Sequence, residues 1–247
     1  IAPQAPTHFL VIPKAHIADI RVKTLLDDSY TDATLDLAMK MELDEAAGAC
    51  RVKMELLDCG EVIAAAERVA QSELDVQMPV KAPRLWSSEA PNLYDLLLTV
   101  EDSSGEVLEV IRQRVGFRRF ELKDAIMYLN GKRIVFKGTN RHDFCAESGR
   151  AISEDKIRRD LLTMKRNNIN AVRTSHYPNS SALYAICDEL GLYVIDENNM
   201  ETHGIWDEIA RGGKPIEYAL PGNRMEWMPM LLDRVNSTYQ RDKNHAS

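Results

Sequence analysis

Apolar and polar positions alternate with a period of two along the first half of the chain. Leu35, Leu37, Met39, Met41 and Leu43 are separated by Asp36, Ala38, Lys40 and Glu42, the spacing of a strand with one buried face. The stretch from Cys50 to Leu57 alternates in the same way through Val52, Met54 and Leu56. Residues 9–12, 17–26, 62–69, 74–80, 94–100 and 107–115 are further strand candidates, with Asp102-Ser103-Ser104-Gly105 as a turn between the last two. Short strands at this spacing, with no helical period, predict an antiparallel sandwich of immunoglobulin-like type over residues 1–120. Residues 127–129 and 133–137 flank Asn130-Gly131, a strong hairpin signal.

Near residue 120 the pattern changes to strand, helix, strand, helix. Ile134-Val135-Phe136 is a compact apolar strand. Ser153 then caps a helix whose first turn carries Glu154 and Asp155, favourable at the positive end of the helix dipole. Ile157, Leu161 and Met164 form its apolar stripe. Asn170-Ala171-Val172-Arg173 is a second strand, followed by a helix with Leu183, Ile186, Cys187 and Leu190 on one face and Gly191 at its end. Leu192-Tyr193-Val194-Ile195 is a third strand. After an irregular stretch from Gly204 to Gly222, Met230, Leu231, Arg234, Val235 and Tyr239 predict a third helix.

Three β/α units in series imply a parallel sheet with right-handed crossovers. A doubly wound sheet and a barrel both fit that order. No glycine-rich phosphate loop follows any of the strands, which weighs against dinucleotide binding. The chain reaches Asn244-His245-Ala246-Ser247 where a fourth strand is expected.

Composition narrows the function classes. The 247 residues are 45% hydrophobic and 28% charged with a formal net charge of -7, as in an ordinary globular protein. Both signs of charge are mixed along the chain and no basic stripe is interleaved with aromatics, so nucleic acid is not an expected partner. No apolar run approaches the roughly 20 residues of a membrane span. Residues 1–6 lack the basic and apolar regions of a signal peptide, which favours a cytoplasmic location. Cys50, Cys59, Cys145 and Cys187 match no metal-binding spacing and read as isolated thiols.

In parallel β/α folds functional side chains gather past the C-terminal ends of the strands. Here each strand is followed by a polar cluster: Thr139-Asn140-Arg141-His142-Asp143, then Thr174-Ser175-His176-Tyr177-Pro178, then Asp196-Glu197 through Glu201-Thr202-His203. A single histidine at a loop start is ordinarily structural, but such clusters at three successive strand ends point to a site. Glu201 and His203 are two apart, so in extended backbone they face the same way. A carboxylate with an imidazole suits zinc or another transition metal; a surface ion pair is the plainer alternative.

The run from Asn170 to Pro178, with Asp188, Gly191 and the apolar residues to Ile195, resembles the signature of the family 2 glycoside hydrolases. Lys137-Gly138-Thr139-Asn140-Arg141-His142 and Asp196-Glu197 through Gly204 are similar to the bacterial β-galactosidase branch of that family. The segment from Leu85 to Tyr94, Val115-Gly116-Phe117-Arg118 and Arg241-Asp242-Lys243-Asn244-His245 resemble the same proteins. The resemblance implies an immunoglobulin-like sandwich (1–120) leading into the first three β/α units of a TIM barrel (121–247). It also implies hydrolysis of terminal β-D-galactosides with retention. Retention needs two carboxyl groups about 5–5.5 Å apart. In the family the acid/base is a Glu preceded by Asn, just past the fourth strand, and the nucleophile lies further on. No Asn-Glu dipeptide occurs here, so neither catalytic carboxylate is expected in this chain.

Residue by residue, the resemblance implies that His142 and His176 hydrogen-bond the galactosyl group, and that Asn140 and Arg173 stand near the site, either as further substrate-binding residues or in a structural role. Glu201 and His203 match two ligands of an active-site magnesium (Mg2+), whose third ligand is the acid/base Glu. A homo-oligomer is implied for the full-length protein. A β-glucuronidase or β-mannosidase relative is the neighbouring alternative, and a non-catalytic assembly module the more distant one.

Overall fold

The computed structural model describes residues 12–45, 48–201, 203–219, 221–222 and 224–247. They form two compact units, one holding the chain up to Pro83 with Tyr94–Val115, the other Arg84–Leu93 with Gly116–Ser247.

The first unit is built of β1 (Ala15–Leu26), β2 (Ala33–Leu43), β3 (Arg51–Asp58), β4 (Glu61–Val69), β5 (Glu73–Val80), β6 (Tyr94–Glu101) and β7 (Val107–Val115). They pair antiparallel in two sheets, β1-β2-β5 and β4-β3-β6-β7, the sandwich expected from the period-two pattern. Leu35, Leu37 and Met39 of β2, Val52, Met54 and Leu56 of β3, and Leu96, Leu98 and Val100 of β6 are buried, while the alternate positions face outward. Of the candidate strand at 9–12, residues 9–11 lie outside the described residues, and Ile12 precedes β1 as an exposed residue.

The second unit opens with a small antiparallel sheet, β8 (Phe120–Lys123), β9 (Ile126–Leu129) and β10 (Lys132–Arg133), in the order β10-β9-β8. Asn130 and Gly131 both have positive φ, 51° and 75°, the two-residue turn that Asn-Gly favours. Then come β11 (Gly138–Arg141), α1 (Glu154–Arg166), β12 (Ala171–Thr174), α2 (Ser181–Leu190), β13 (Tyr193–Ile195), α3 (His203–Ala210) and α4 (Met228–Asp242). β11, β12 and β13 pair in parallel in that order, an open piece of barrel.

Helices α1 and α2 form where the sequence placed their stripes and caps. Ser153 accepts from the backbone N–H of Lys156 at the start of α1, and Gly191 ends α2 with φ 71°. Ile157 and Leu161 pack with Val172, Leu183, Ile186, Cys187 and Leu192 in a sealed cluster. The segment Arg84–Leu93 belongs to this second unit, although the strand pattern alone reads it as the end of the sandwich. Trp86 is fully buried there and donates its indole N–H to the Asp188 carbonyl at 2.8 Å.

Two expectations need correction. Ile134-Val135-Phe136 is not the first barrel strand; β11 begins two residues later, at Gly138. Ile134 and Phe136 instead pack on the cluster of Trp86, Leu129, Ala171 and Tyr193. The Asn170 side chain takes the backbone groups of this segment, accepting from Lys137 N at 2.7 Å and donating to Val135 O at 3.0 Å. Those groups are therefore not available to a ladder. The stretch 204–222 is also not wholly irregular, because α3 occupies its first part. None of the residues of α3 is buried, yet Ile205, Trp206 and Ile209 recur at helical spacing, so this helix does carry a short apolar stripe.

Candidate functional site

The parallel register sets Asn140 beside Arg173, Arg141 beside Thr174 and Arg173 beside Ile195. The loops leaving β11, β12 and β13 therefore start side by side. Arg141, buried at the end of β11, holds the first of them. Its guanidinium donates to Asp143, to Asn179 at 3.0 Å and to Asp160 at 3.3 Å, while Asp143 accepts from Ser180 N at 2.8 Å. A buried guanidinium with several acceptors fixes backbone on both sides of it. Here it ties the start of the His142 loop to the start of α2.

His142 and His176 come together. Their rings lie edge to face with centroids 5.6 Å apart, and His142 Nδ1 is 3.4 Å from the Tyr177 hydroxyl. Both border a cavity of about 690 Å³, which Tyr177, Asn199, Glu201 and Arg234 also line. Arg234 donates to the Asn199 carbonyl, so α4 braces one wall. The guanidinium of Arg150 stacks over the Tyr177 ring at 4.7 Å, a cation–π contact.

Asn140 and Arg173 stand behind His176 and do not line that cavity. Arg173 Nη1 donates to Asn140 Oδ1 at 3.4 Å, and its Nη2 lies 3.2 Å from His176 Nδ1 and 2.8 Å from Glu197 Oε2. One guanidinium thus joins three strand ends. Beneath it, Thr174 Oγ1 accepts from Glu197 N at 2.8 Å and donates to Asp196 at 3.3 Å. Asp196 also accepts from the Tyr184 hydroxyl at 2.7 Å. Burial, opposed by the Tyr184 hydrogen bond and reinforced by the Asp242 carboxyl, lifts Asp196 to about 6. Burial and the same Asp196 bond push the Tyr184 phenol upward as well.

Glu201 and His203 are neighbours, with Oε1 3.6 Å from Nδ1, and His203 Nε2 is 3.5 Å from Asp207. Glu201 borders the cavity, whereas His203 is mostly exposed at its side. Thr202 lies outside the described residues. Among the described residues no group of three or more His, Cys, Asp or Glu is gathered as a metal would require. One carboxylate and one imidazole also fall far short of the oxygen-rich octahedron that Mg2+ demands. The residues present do not by themselves fit the ion.

Sequence reasoning found the two histidines but not Tyr177 or Glu197 as partners. The clusters in which they stand were the only signal. The contribution of α4 was not legible, since no local feature of a helix states which cavity it borders.

Residues 120–247 match the model described as glycosyl hydrolases family 2, TIM barrel domain, and residues 15–118 match glycosyl hydrolases family 2. The chain is 46% identical over 242 residues to a β-galactosidase of Halalkalibacterium halodurans, covering 97% of this chain and 24% of that protein. It is also 46% identical to a β-galactosidase of Streptococcus thermophilus, covering 97% and 23%. Among solved structures, a β-glucuronidase from Ruminococcus gnavus in complex with D-glucuronic acid superposes with a TM-score of 0.75 at 26% identity, covering 95% of this chain and 36% of that one. The chain spans about a quarter of the length of the β-galactosidases it matches. With two adjoining models of this family matched over residues 15–118 and 120–247, the chain belongs to family 2 of the glycosyl hydrolases.

Proposed function

We propose that these residues are part of a retaining glycosidase acting on terminal β-D-galactosides, and that they supply one wall of its sugar site. The observation that carries this is the pair His142 and His176, in ring contact at adjacent strand ends on a shared cavity wall. The chain holding them is 46% identical to β-galactosidases. Two imidazoles at this spacing can hydrogen-bond neighbouring hydroxyls of one sugar ring. The carboxyl pair that breaks the glycosidic bond is assigned to the parent protein outside these 247 residues, in keeping with the lack of an Asn-Glu dipeptide. Mg2+ is assigned to the complete enzyme, with Glu201 and His203 as two ligands and a further carboxylate from beyond the chain. The remaining proposals are a galactoside as partner, a homo-oligomeric parent and a cytoplasmic location. Among the described residues no helix is long and apolar enough to cross a membrane.

A glucuronide-cleaving parent is the second reading, supported by the match to the Ruminococcus gnavus structure. Titration of the 15N-labelled chain with a thiogalactoside and with glucuronate separates the two. Selective, saturable shifts at His142 and His176 with the galactoside support the first reading. Shifts with glucuronate alone support the second. Hydrolysis of an aryl β-galactoside by the isolated chain, abolished by His176→Ala, would show that the carboxylates have been misplaced.

A further inference from the structure

Glu197 stands at the end of β13, directly behind the proposed sugar site, and touches no cavity wall. We infer that Glu197 is a positioning residue: by pairing with Arg173 it holds the neutral His176 imidazole in a single tautomer, with Nδ1 as acceptor and the proton on Nε2. The purpose of this arrangement rests on the proposed sugar site; the arrangement itself rests on geometry alone.

Arg173 Nη2 is 3.2 Å from His176 Nδ1, within hydrogen-bond range. A guanidinium only donates, so Nδ1 must accept, and a neutral ring then carries its proton on Nε2. The competing arrangement has Nδ1–H donating to Glu197 Oε2, but that distance is 3.5 Å, beyond a normal bond. Glu197 Oε2 is sealed from solvent and makes no directed hydrogen bond, yet it lies 2.8 Å from Arg173 Nη2. Its contribution is therefore charge at short range. The carboxylate fixes where the guanidinium sits, and the guanidinium turns an N–H towards the histidine. Asn140 anchors the other arm of the fork at 3.4 Å. The result leaves Nε2–H available as a donor, suited to a hydroxyl oxygen such as that of a sugar.

Long-range 1H–15N spectra of the 15N-labelled chain at about pH 8 read the proton position directly, with His176→Gln assigning the resonance. The parent chain is expected to show His176 as pure Nε2–H. In Glu197→Gln and Glu197→Ala the single-tautomer signature should be lost, with the Nδ1 signal moving to an averaged position while helical circular dichroism is retained. An Nδ1–H tautomer in the parent overturns the inference. So does a parent-like His176 spectrum in either folded variant. The parent spectrum decides the tautomer even where neither variant folds. A failed sugar titration leaves this result standing, and an Nδ1–H proton leaves the galactoside reading standing, so the two failures are distinguishable.

Discussion

Replacing Asp196 by asparagine should stabilise the second unit above pH 6 and flatten its stability between pH 4 and 6. Asp196 directly follows β13, half-buried, with Tyr184, Thr174 and the Asp242 carboxyl around it. Two carboxyl groups in contact share a proton more readily than they both ionise. With its folded value at about 6 against 3.8, Asp196 keeps its proton in the folded chain after the unfolded chain has lost it. Stability from this group is complete below about pH 4 and is lost as pH rises through about 6. A displacement of this size corresponds to about 3 kcal/mol at most. Solvent screening at a half-exposed carboxyl reduces it to about 1–2 kcal/mol. Asparagine reproduces the protonated form: it still accepts from Tyr184 and donates towards Asp242. Urea denaturation followed at 222 nm reads the second unit, because every α-helix among the described residues lies there. The variant should exceed the parent by about 1–2 kcal/mol at pH 7.5 and match it near pH 4. A variant no more stable at pH 7.5, with the parent's pH slope intact, would refute the shared proton.

His245 gives the companion case. Burial pulls its imidazole down, but the Asp188 carboxylate, 2.6 Å from Nδ1, outweighs burial and raises it above 6.5. Stability from this pair is full below about pH 6.5 and is lost as pH climbs through the folded value. His245→Gln should therefore fall furthest behind the parent at pH 6, with the gap narrowing at higher pH in the same urea assay. Leu161→Ala empties a site of zero exposure and should cost about 2–5 kcal/mol, read from the same denaturation curve at constant pH. Titration calorimetry with Mg2+ should show no tight, stoichiometric binding. A submicromolar site abolished by Glu201→Ala would mean that the chain completes the coordination sphere itself.

The sandwich was legible because a strand with one wet face writes its burial directly into the alternation, as in Leu35, Leu37 and Met39. The α1 and α2 caps were equally plain, since Ser153 and Gly191 satisfy backbone groups of their own helices. What failed was the non-local part. Ile134 and Phe136 are apolar because they cover Trp86 and Tyr193, and apolarity alone does not separate a strand from a packed connection. The true strand, Gly138-Thr139-Asn140-Arg141, is polar throughout and carries no strand pattern. The two histidines were found by their position after strands. The chain of contacts behind them, Asn140 to Arg173 to Glu197, spans three elements, and no sequence spacing encodes it.

The close approach of Gly138 to Ala171 works as a datum for the whole rim. A Cβ on Gly138 would lie 3.0 Å from both the Ala171 side chain and its carbonyl oxygen, so the two backbones meet there at a distance where a side chain would have to push its neighbour aside. Asn170 clamps the residues just before it. Because facing alternates along a strand, a slip of one position would turn every side chain of β11 to the opposite side. Arg141 would leave its buried acceptors and Asn140 would leave Arg173. The orientation of groups at the open end of the sheet is thus decided several residues away, at its closed end. Substitutions at the foot of β11 should accordingly displace the Asn140 and Arg141 side chains without touching the cavity.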